Sequence, residues 1–211
     1  MYRKYIKRIL DFILASILLV VLLPFMLILA MIIKRDGGPA IFKQQRSGKN
    51  GTVFTLYKFR SMTPSNNVHN FKKEDEITKI GKFIRNTSLD ELPQLVNILK
   101  GEMSFIGPRP WITDYSRYFT DHQMRRLEVL PGITGLAQCS GRNNISIIEK
   151  INLDIYYIDR VSFKMDLYIF FKSIISVLKK EGTISSKFSI KNELDELEHQ
   201  TTNDMVPSIL V

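Results

Sequence analysis

Asp90 and Glu91 stand side by side in the stretch TSLDELPQ, in a chain whose lysines and arginines outnumber its acids by nine. Adjacent like charges repel, so the pair has either a structural or a chemical reason. The structural one is a helix cap: Ser88 and Glu91 have capping-box spacing, and carboxylates are favoured where a helix begins. Pro93 argues against that register, because with Ser88 as cap the proline would fall at the fifth helical position and clash with a carbonyl. Starting the helix at Pro93 removes the clash. Asp90 and Glu91 then lie just outside a helix N-terminus, where unpaired amides and the dipole favour an ionised carboxylate. A partly exposed, ionised carboxylate can act as a nucleophile or as a Mg²⁺ ligand.

Cations are spaced to serve such a pair. In Gly107-Pro108-Arg109-Pro110 two prolines hold one arginine between extended neighbours, a rigid presentation that suits a phosphate. Lys58 and Arg60 alternate with Tyr57 and Phe59, so a strand would put both cations on one face. Gly48-Lys49 is no phosphate loop, since Lys43 stands where the first glycine belongs and Asn50 replaces the required Ser or Thr. Glu74-Asp75-Glu76 lies in the polar, aperiodic segment 64–76 and reads as a solvated charge run in an exposed loop.

These residues need elements to position them. AIFKQQRSGKNGTVFTLYKFRSM gives two strand-like runs around Asn50-Gly51, a hairpin signal. Ile77, Ile80, Phe83 and Ile84, then Leu95, Ile98 and Leu99, recur at helical spacing, with Gly101 placed to stop the second helix. Two short helices are therefore hinged near TSLDELP. From Phe163 to Lys180, Leu167, Phe170, Phe171, Ile174, Val177 and Leu178 share one helical face and Lys164, Lys172, Lys179 and Lys180 the other. That is the profile of an interfacial helix, or equally of a core-packing helix with a solvated face. LPGITGLAQCSGRNN is too glycine-rich for a helix.

Phe12 to Ile33 is an uncharged run long enough to cross a bilayer core. It is too long for a cleavable signal peptide and has no cleavage pattern after it. Arg3, Lys4, Lys7 and Arg8 precede it and Lys34 and Arg35 follow, so both ends are drawn to the cytoplasm. Pro24 near its middle removes a backbone hydrogen bond and should bend it. A re-entrant hairpin dipping into one leaflet and an ordinary span with a tolerated proline both stand on these residues alone.

The 211 residues fit one domain with an appendage. The tail from Thr183 holds two lysines against five acids, so residues 1–182 carry a net charge of +12. That excess calls for a polyanionic partner: nucleic acid, an anionic membrane face or phosphate-bearing substrates. The single Cys139 excludes an internal disulfide and fits a reducing compartment.

In order, the basic, proline-containing hydrophobic segment, GPAIFKQQRSGKNG, LYKFRSM, TSLDELPQLVNILKGEMSFIGPRP, LPGITGLAQCSGRNN and DIYYIDRVSFKMDL closely resemble the bacterial sugar transferase family of monotopic phosphoglycosyl transferases. The likeness covers about residues 4–182. The DELPQ and GPRP combination is its specific part, and Leu23-Pro24 stands where a Ser-Pro pair often marks the membrane break. The resemblance implies an α+β fold: a re-entrant membrane helix-break-helix over 1–36, a small cytosolic catalytic domain over 37–182 with a short β-hairpin and interfacial amphipathic helices, and a flexible acidic tail over 183–211. It implies transfer of a phospho-sugar from a UDP-sugar to a polyprenol phosphate with Mg²⁺, at the cytoplasmic face of the bacterial inner membrane. Asp90 matches the nucleophile, and Glu91 the second carboxylate, for metal positioning or proton handling. Arg109 and Pro110 match the phosphate-binding motif, Lys58 and Arg85 match anion-binding positions, and Arg60 is a further cation for the diphosphate. Arg142 and Asn143 are placed to contact the nucleotide. A membrane-anchored nucleic-acid-binding protein lacks any helix-turn-helix, zinc or RNP-type signature. A non-catalytic scaffold is countered by the intact Asp90, Glu91 and Arg109. A metal-dependent glycosyltransferase of the D-x-D type is disfavoured because no D-x-D occurs in the chain.

Overall fold

The computed structural model describes residues 1–35, 37–63, 77–141 and 145–179. Arg142, Asn143, the segment 64–76 and the tail 183–211 lie outside them.

One turn of π-helix, Tyr2–Ile6, runs into α1, Lys7–Lys34. The buried positions of α1 are Asp11, Ala15, Met26, Leu29 and Ile33, with Leu18, Leu19 and Leu22 half-buried between them. Steps of three and four residues make this a single stripe. Elsewhere the helix leaves Phe12, Ile17, Val20, Val21, Leu27 and Ile28 exposed. By length and composition it is able to cross a membrane. Pro24 lies inside α1 without interrupting it, which corrects the expected helix-break-helix. A proline removes one backbone bond, and the buried stripe continues on both sides of it, so packing holds the element together.

The hairpin is as expected: β1, Ile41–Ser47, pairs antiparallel with β2, Val53–Phe59, in a register from Ile41 opposite Phe59 to Ser47 opposite Val53. Asn50 and Gly51 both take positive φ, 54° and 75°. They do so within a five-residue loop from Gly48 to Thr52, closed by Gly48 N–H donating to Thr52 O at 2.7 Å.

Next come α2, Lys79–Asn86, and α3, Gln94–Lys100, joined by a 3₁₀ turn, Leu89–Glu91. Thr78 caps α2 by accepting from Gly81 N at 2.9 Å, which leaves Ile77 outside the helix. Gly101 ends α3 in the left-handed conformation, as expected. The first half of α1 packs through Ala15 on Phe54, Leu56, Leu95, Ile98 and Met103. The second half packs through Met26, Leu29 and Ile33 on Ala40, Phe59 and Ile84. Each half of α1 therefore rests on the hairpin and on a helix flanking the acidic pair.

A two-stranded parallel sheet follows, β3, Ser104–Ile106, beside β4, Gly132–Thr134. Between these strands lies the short helix α4, Asp121–Met124. A Cβ on Gly132 would come within 2.2 Å of Gly107 N, so the glycines there permit two backbones to touch. The glycine-rich stretch nevertheless contains a helix, α5, Leu136–Ser140, which corrects the reading of that segment as non-helical. Its glycines lie before and after the five helical residues.

The described chain closes with α6, Ile147–Asp159, and α7, Phe163–Leu178. Helix α7 turns Asp166, Ile169, Ser173 and Ser176 inward and leaves Phe163, Leu167, Phe170, Phe171, Ile174 and Leu178 exposed. A buried polar knot ties α7 to the chain start: Asp166 accepts from Tyr2 Oη at 2.6 Å, Tyr157 Oη at 2.7 Å and Lys7 Nζ. Helices with two small sheets form the α+β arrangement expected.

Candidate active site

Ser88 is the local device that aims the acidic pair. It makes no side-chain cap bond but takes a left-handed backbone, φ 57° and ψ 16°, costing about 1 kcal/mol or more for a residue with a Cβ. The chain thereby turns sharply out of α2 into the 3₁₀ turn that carries Asp90 and Glu91. Pro93, with helical φ of −61°, directly precedes the first residue of α3, one position earlier than the sequence reading put it. Asn97 locks the turn against the hairpin: wholly buried, it donates to Thr55 O at 2.7 Å and accepts from Tyr57 N at 3.2 Å. Tyr57 precedes Lys58, so α3 and the lysine strand share one bracket.

Lys58 Nζ lies 2.7 Å from Glu91 Oε1 and 3.7 Å from Asp90 Oδ2. Arg109 Nη2 reaches the same Glu91 oxygen at 3.1 Å from a half-exposed side chain. Asp90 is buried, 9% exposed, which corrects the expectation of a partly exposed carboxylate. The flanking Leu89 and Leu92 pack into the cluster of Ile84 and Phe59 and draw the turn inward.

The two carboxyls are driven apart electrically. Burial pushes Asp90 above the usual carboxylate range, and Glu91 beside it adds to this against the opposing pull of Lys58, Arg109 and Arg85. Burial alone would raise Glu91 as well, but Lys58 and Arg109 overcome it and hold that carboxyl down at about 2. Glu91 is thus a fixed negative charge with two cations clamped on it. Asp90 accepts no hydrogen bond among the described residues and is the member with reactive oxygens available.

Arg85, at the end of α2, donates through Nε to Ser61 Oγ at 2.7 Å and contributes positive charge near Asp90. Arg60 follows the last residue of β2, where strand alternation stops. It is buried and donates to Ile33 O at 2.8 Å, at the end of α1, rather than to the acidic pair. Pro110 O accepts from Arg46 Nη1 at 3.2 Å.

Sequence reasoning missed two arginines. Arg46, on β1, contacts the GPRP segment and feels both Arg109 and Glu91. Arg126 is wholly buried; it pairs with Asp154 at 2.8 Å, lies 4.0 Å over the Trp111 ring and donates to Arg109 O at 2.9 Å. It anchors the backbone from which the Arg109 guanidinium reaches Glu91. No local spacing marks either residue, since their partners lie 28 and 64 positions away.

Among the described residues no group of three or more His, Cys, Asp or Glu side chains could enclose a metal. Two adjacent carboxylates suit an ion that shares its coordination with substrate phosphates, which is how Mg²⁺ is commonly held. The arrangement can present one nucleophilic carboxylate to an anionic, phosphate-bearing substrate while cations neutralise the approach.

A model of the family described as bacterial sugar transferase matches residues 2–180. The uncharacterized sugar transferase EpsL of Bacillus subtilis is 48% identical over 156 residues, 73% of this chain and 77% of that protein. The undecaprenyl-phosphate galactose phosphotransferase of Salmonella typhimurium is 37% identical over 198 residues, 85% of this chain but 42% of the relative. The UDP-glucose:undecaprenyl-phosphate glucose-1-phosphate transferase of Klebsiella pneumoniae is 41% identical over 181 residues, 80% of this chain and 39% of the relative. The chain thus spans less than half the length of the last two.

Proposed function

The chain belongs to the bacterial sugar transferase family, and from that membership we propose that it moves a phospho-sugar from a UDP-sugar to undecaprenyl phosphate, releasing UMP and starting assembly of a bacterial glycan. The observation that carries this reading is the division of labour in the acidic pair, with Glu91 clamped by Lys58 and Arg109 and Asp90 left without a hydrogen-bond donor. A relative acting on UDP-glucose and another named for galactose make a hexose the donor sugar to test first.

In the first half-reaction an Asp90 oxygen attacks the β-phosphorus, the bond to the bridging oxygen breaks, and its electron pair leaves on UMP. The aspartyl phospho-sugar then waits for the acceptor phosphate, whose oxygen displaces Asp90 and restores the carboxylate. Lys58, Arg85 and Arg109 offset charge that gathers on phosphate oxygens in both steps. Asp90 and Glu91 are the residues that would hold Mg²⁺, which when bound supplies positive charge against the phosphate oxygens. Splitting the transfer lets a water-soluble donor and a membrane-bound acceptor use one site in turn.

Such chemistry belongs at a membrane surface, and we place α1 in one leaflet with both ends on the cytoplasmic side. Arg8 donates to Ile98 O and Leu99 O near the start of α1, and Arg60 to Ile33 O near its end. A helix crossing the bilayer would carry one of those polar contacts into lipid or to the far side. The exposed apolar face of α7 supports the same apposition. Nucleic-acid binding and a non-catalytic scaffold, the other readings of charge and hydrophobicity, gain no support from the relatives.

Intact-mass measurement after incubation with UDP-glucose or UDP-galactose and Mg²⁺, without acceptor, tests the proposal. A hexose-phosphate adduct with UMP release is expected, and ping-pong kinetics once polyprenol phosphate is added. A ternary-complex rate law with no adduct would reduce Asp90 to a metal ligand.

A further inference from the structure

Beside the acidic pair is a small recess, open to solvent, lined by Arg46, Leu56, Lys58, Gln94, Arg109 and Pro110. Two of these side chains bring buried N–H groups with no hydrogen-bond partner among the described residues, Arg46 Nε and Gln94 Nε2. Gln94 is 2% exposed. Orphaned buried donors are rare because each one forfeits its hydration without compensation. Here both residues line one recess, and each of the two donors lacks an acceptor oxygen among the described residues.

We propose that Arg46 and Gln94 form a subsite for the phosphate that leaves with the nucleotide, each donating to one of its oxygens. The inference rests on the phosphoglycosyl transfer proposed above and deepens it. Three cationic side chains line the recess, which selects an oxyanion over a neutral hydroxyl. Asp90 is not among the lining residues, which suits the phosphate next to the one it attacks as the occupant. As the β-phosphorus–oxygen bond breaks, the electron pair settles on that phosphate, where donors fixed in advance act most strongly. Arg46 is equipped to stay charged: burial, with Arg109 adding, lowers its pKa only to about 10. Two further bonds fix the guanidinium, to Pro110 O at 3.2 Å and Gln44 Oε1 at 2.5 Å.

The test measures binding of UMP and of uridine to the full-length enzyme in nanodiscs, with circular dichroism to verify folding. Gln94→Leu removes the orphan donor without breaking a protein hydrogen bond through it. Arg46→Lys keeps the charge and loses the fork. The expected result is UMP binding weakened about 10-fold in Gln94→Leu and about 10- to 100-fold in Arg46→Lys, with uridine binding unchanged. Adduct formation from UDP-sugar should slow in parallel, whereas transfer from preformed adduct to polyprenol phosphate should hold within about twofold, since no nucleotide phosphate takes part in it. UMP binding at the wild-type level in folded Gln94→Leu and Arg46→Lys overturns the subsite, as does an equal loss for uridine or an equal slowing of both half-reactions. A wild-type enzyme that forms no adduct refutes the covalent reading instead, and the UMP and uridine measurements still decide the subsite.

Discussion

Arg126 and Asp154 form an ion pair at 2.8 Å in which the side chains are 1% and 3% exposed, and the same guanidinium holds the Arg109 carbonyl. Removing one partner strands a buried charge, which costs about 3–5 kcal/mol. Asp154→Leu or Arg126→Met alone should therefore lower the denaturation midpoint sharply. The double variant should recover much of the stability but not the activity, because Arg109 has lost its backbone anchor. Activity returning together with stability would mean the pair serves folding alone.

Asp90→Asn should abolish both the mass adduct and turnover while leaving membrane association and thermal stability near the parent values. The amide keeps the shape and loses the nucleophile. Turnover above about 1% of the parent would contradict the assigned role.

The acid limb of kcat/KM should report Asp90, which must be ionised to attack and whose pKa burial and Glu91 both raise. Glu91→Gln removes a neighbouring negative charge, so the limb should move to lower pH even as the rate falls. Lys58→Met removes a cation that lowers the Asp90 pKa, so there the limb should move to higher pH. A limb that stays in place in both variants would assign it to another group.

Both flanks of α1 should be protected from an impermeant thiol reagent in intact cells. Cys139 is buried and gives a quiet background, and Lys4→Cys and Lys49→Cys place single probes on exposed side chains before and after the helix. Labelling of Lys4→Cys alone would establish a span. Chelation should stop turnover, and restored Mg²⁺ should recover it, measured as UMP release.

The acidic pair, the hairpin and the two short helices were legible because each rests on local rules: a proline's steric demand, an Asn-Gly turn, and apolar spacing. The left-handed backbone at Ser88 was not, since serine carries no preference for it and only packing on both sides imposes it. Burial of Asp90 was hidden for the same reason, being set by Leu89 and Leu92 entering a core built partly from α1. Periodicity gave the apolar and lysine-rich faces of α7, but the side that packs inward, through Asp166, Ile169 and Ser176, belongs to neither. Arg60 was read from strand alternation, and β2 ends one residue too early for that to apply. Arg46 and Arg126 act through partners far along the chain, and one sequence does not reveal such pairs.

Helix α1 is synthesised before the residues it rests on, from Ala40, Phe54 and Phe59 around the hairpin to Ile84, Ile98 and Met103 further along the chain. Until α3 has emerged, the hairpin residues Phe54, Leu56 and Phe59 are available to that stripe but Leu95 and Ile98 are not. Asp11 passes through that period without the Phe105 amide that donates to it, which is made later still. On the membrane placement proposed above, insertion and folding of this chain are one coupled event. A nascent chain arrested near Lys34 should insert as an ordinary hydrophobic segment, and the same segment should be drawn to one leaflet only after α3 is complete, as crosslinking of stalled chains to lipid and to Ile98 would reveal.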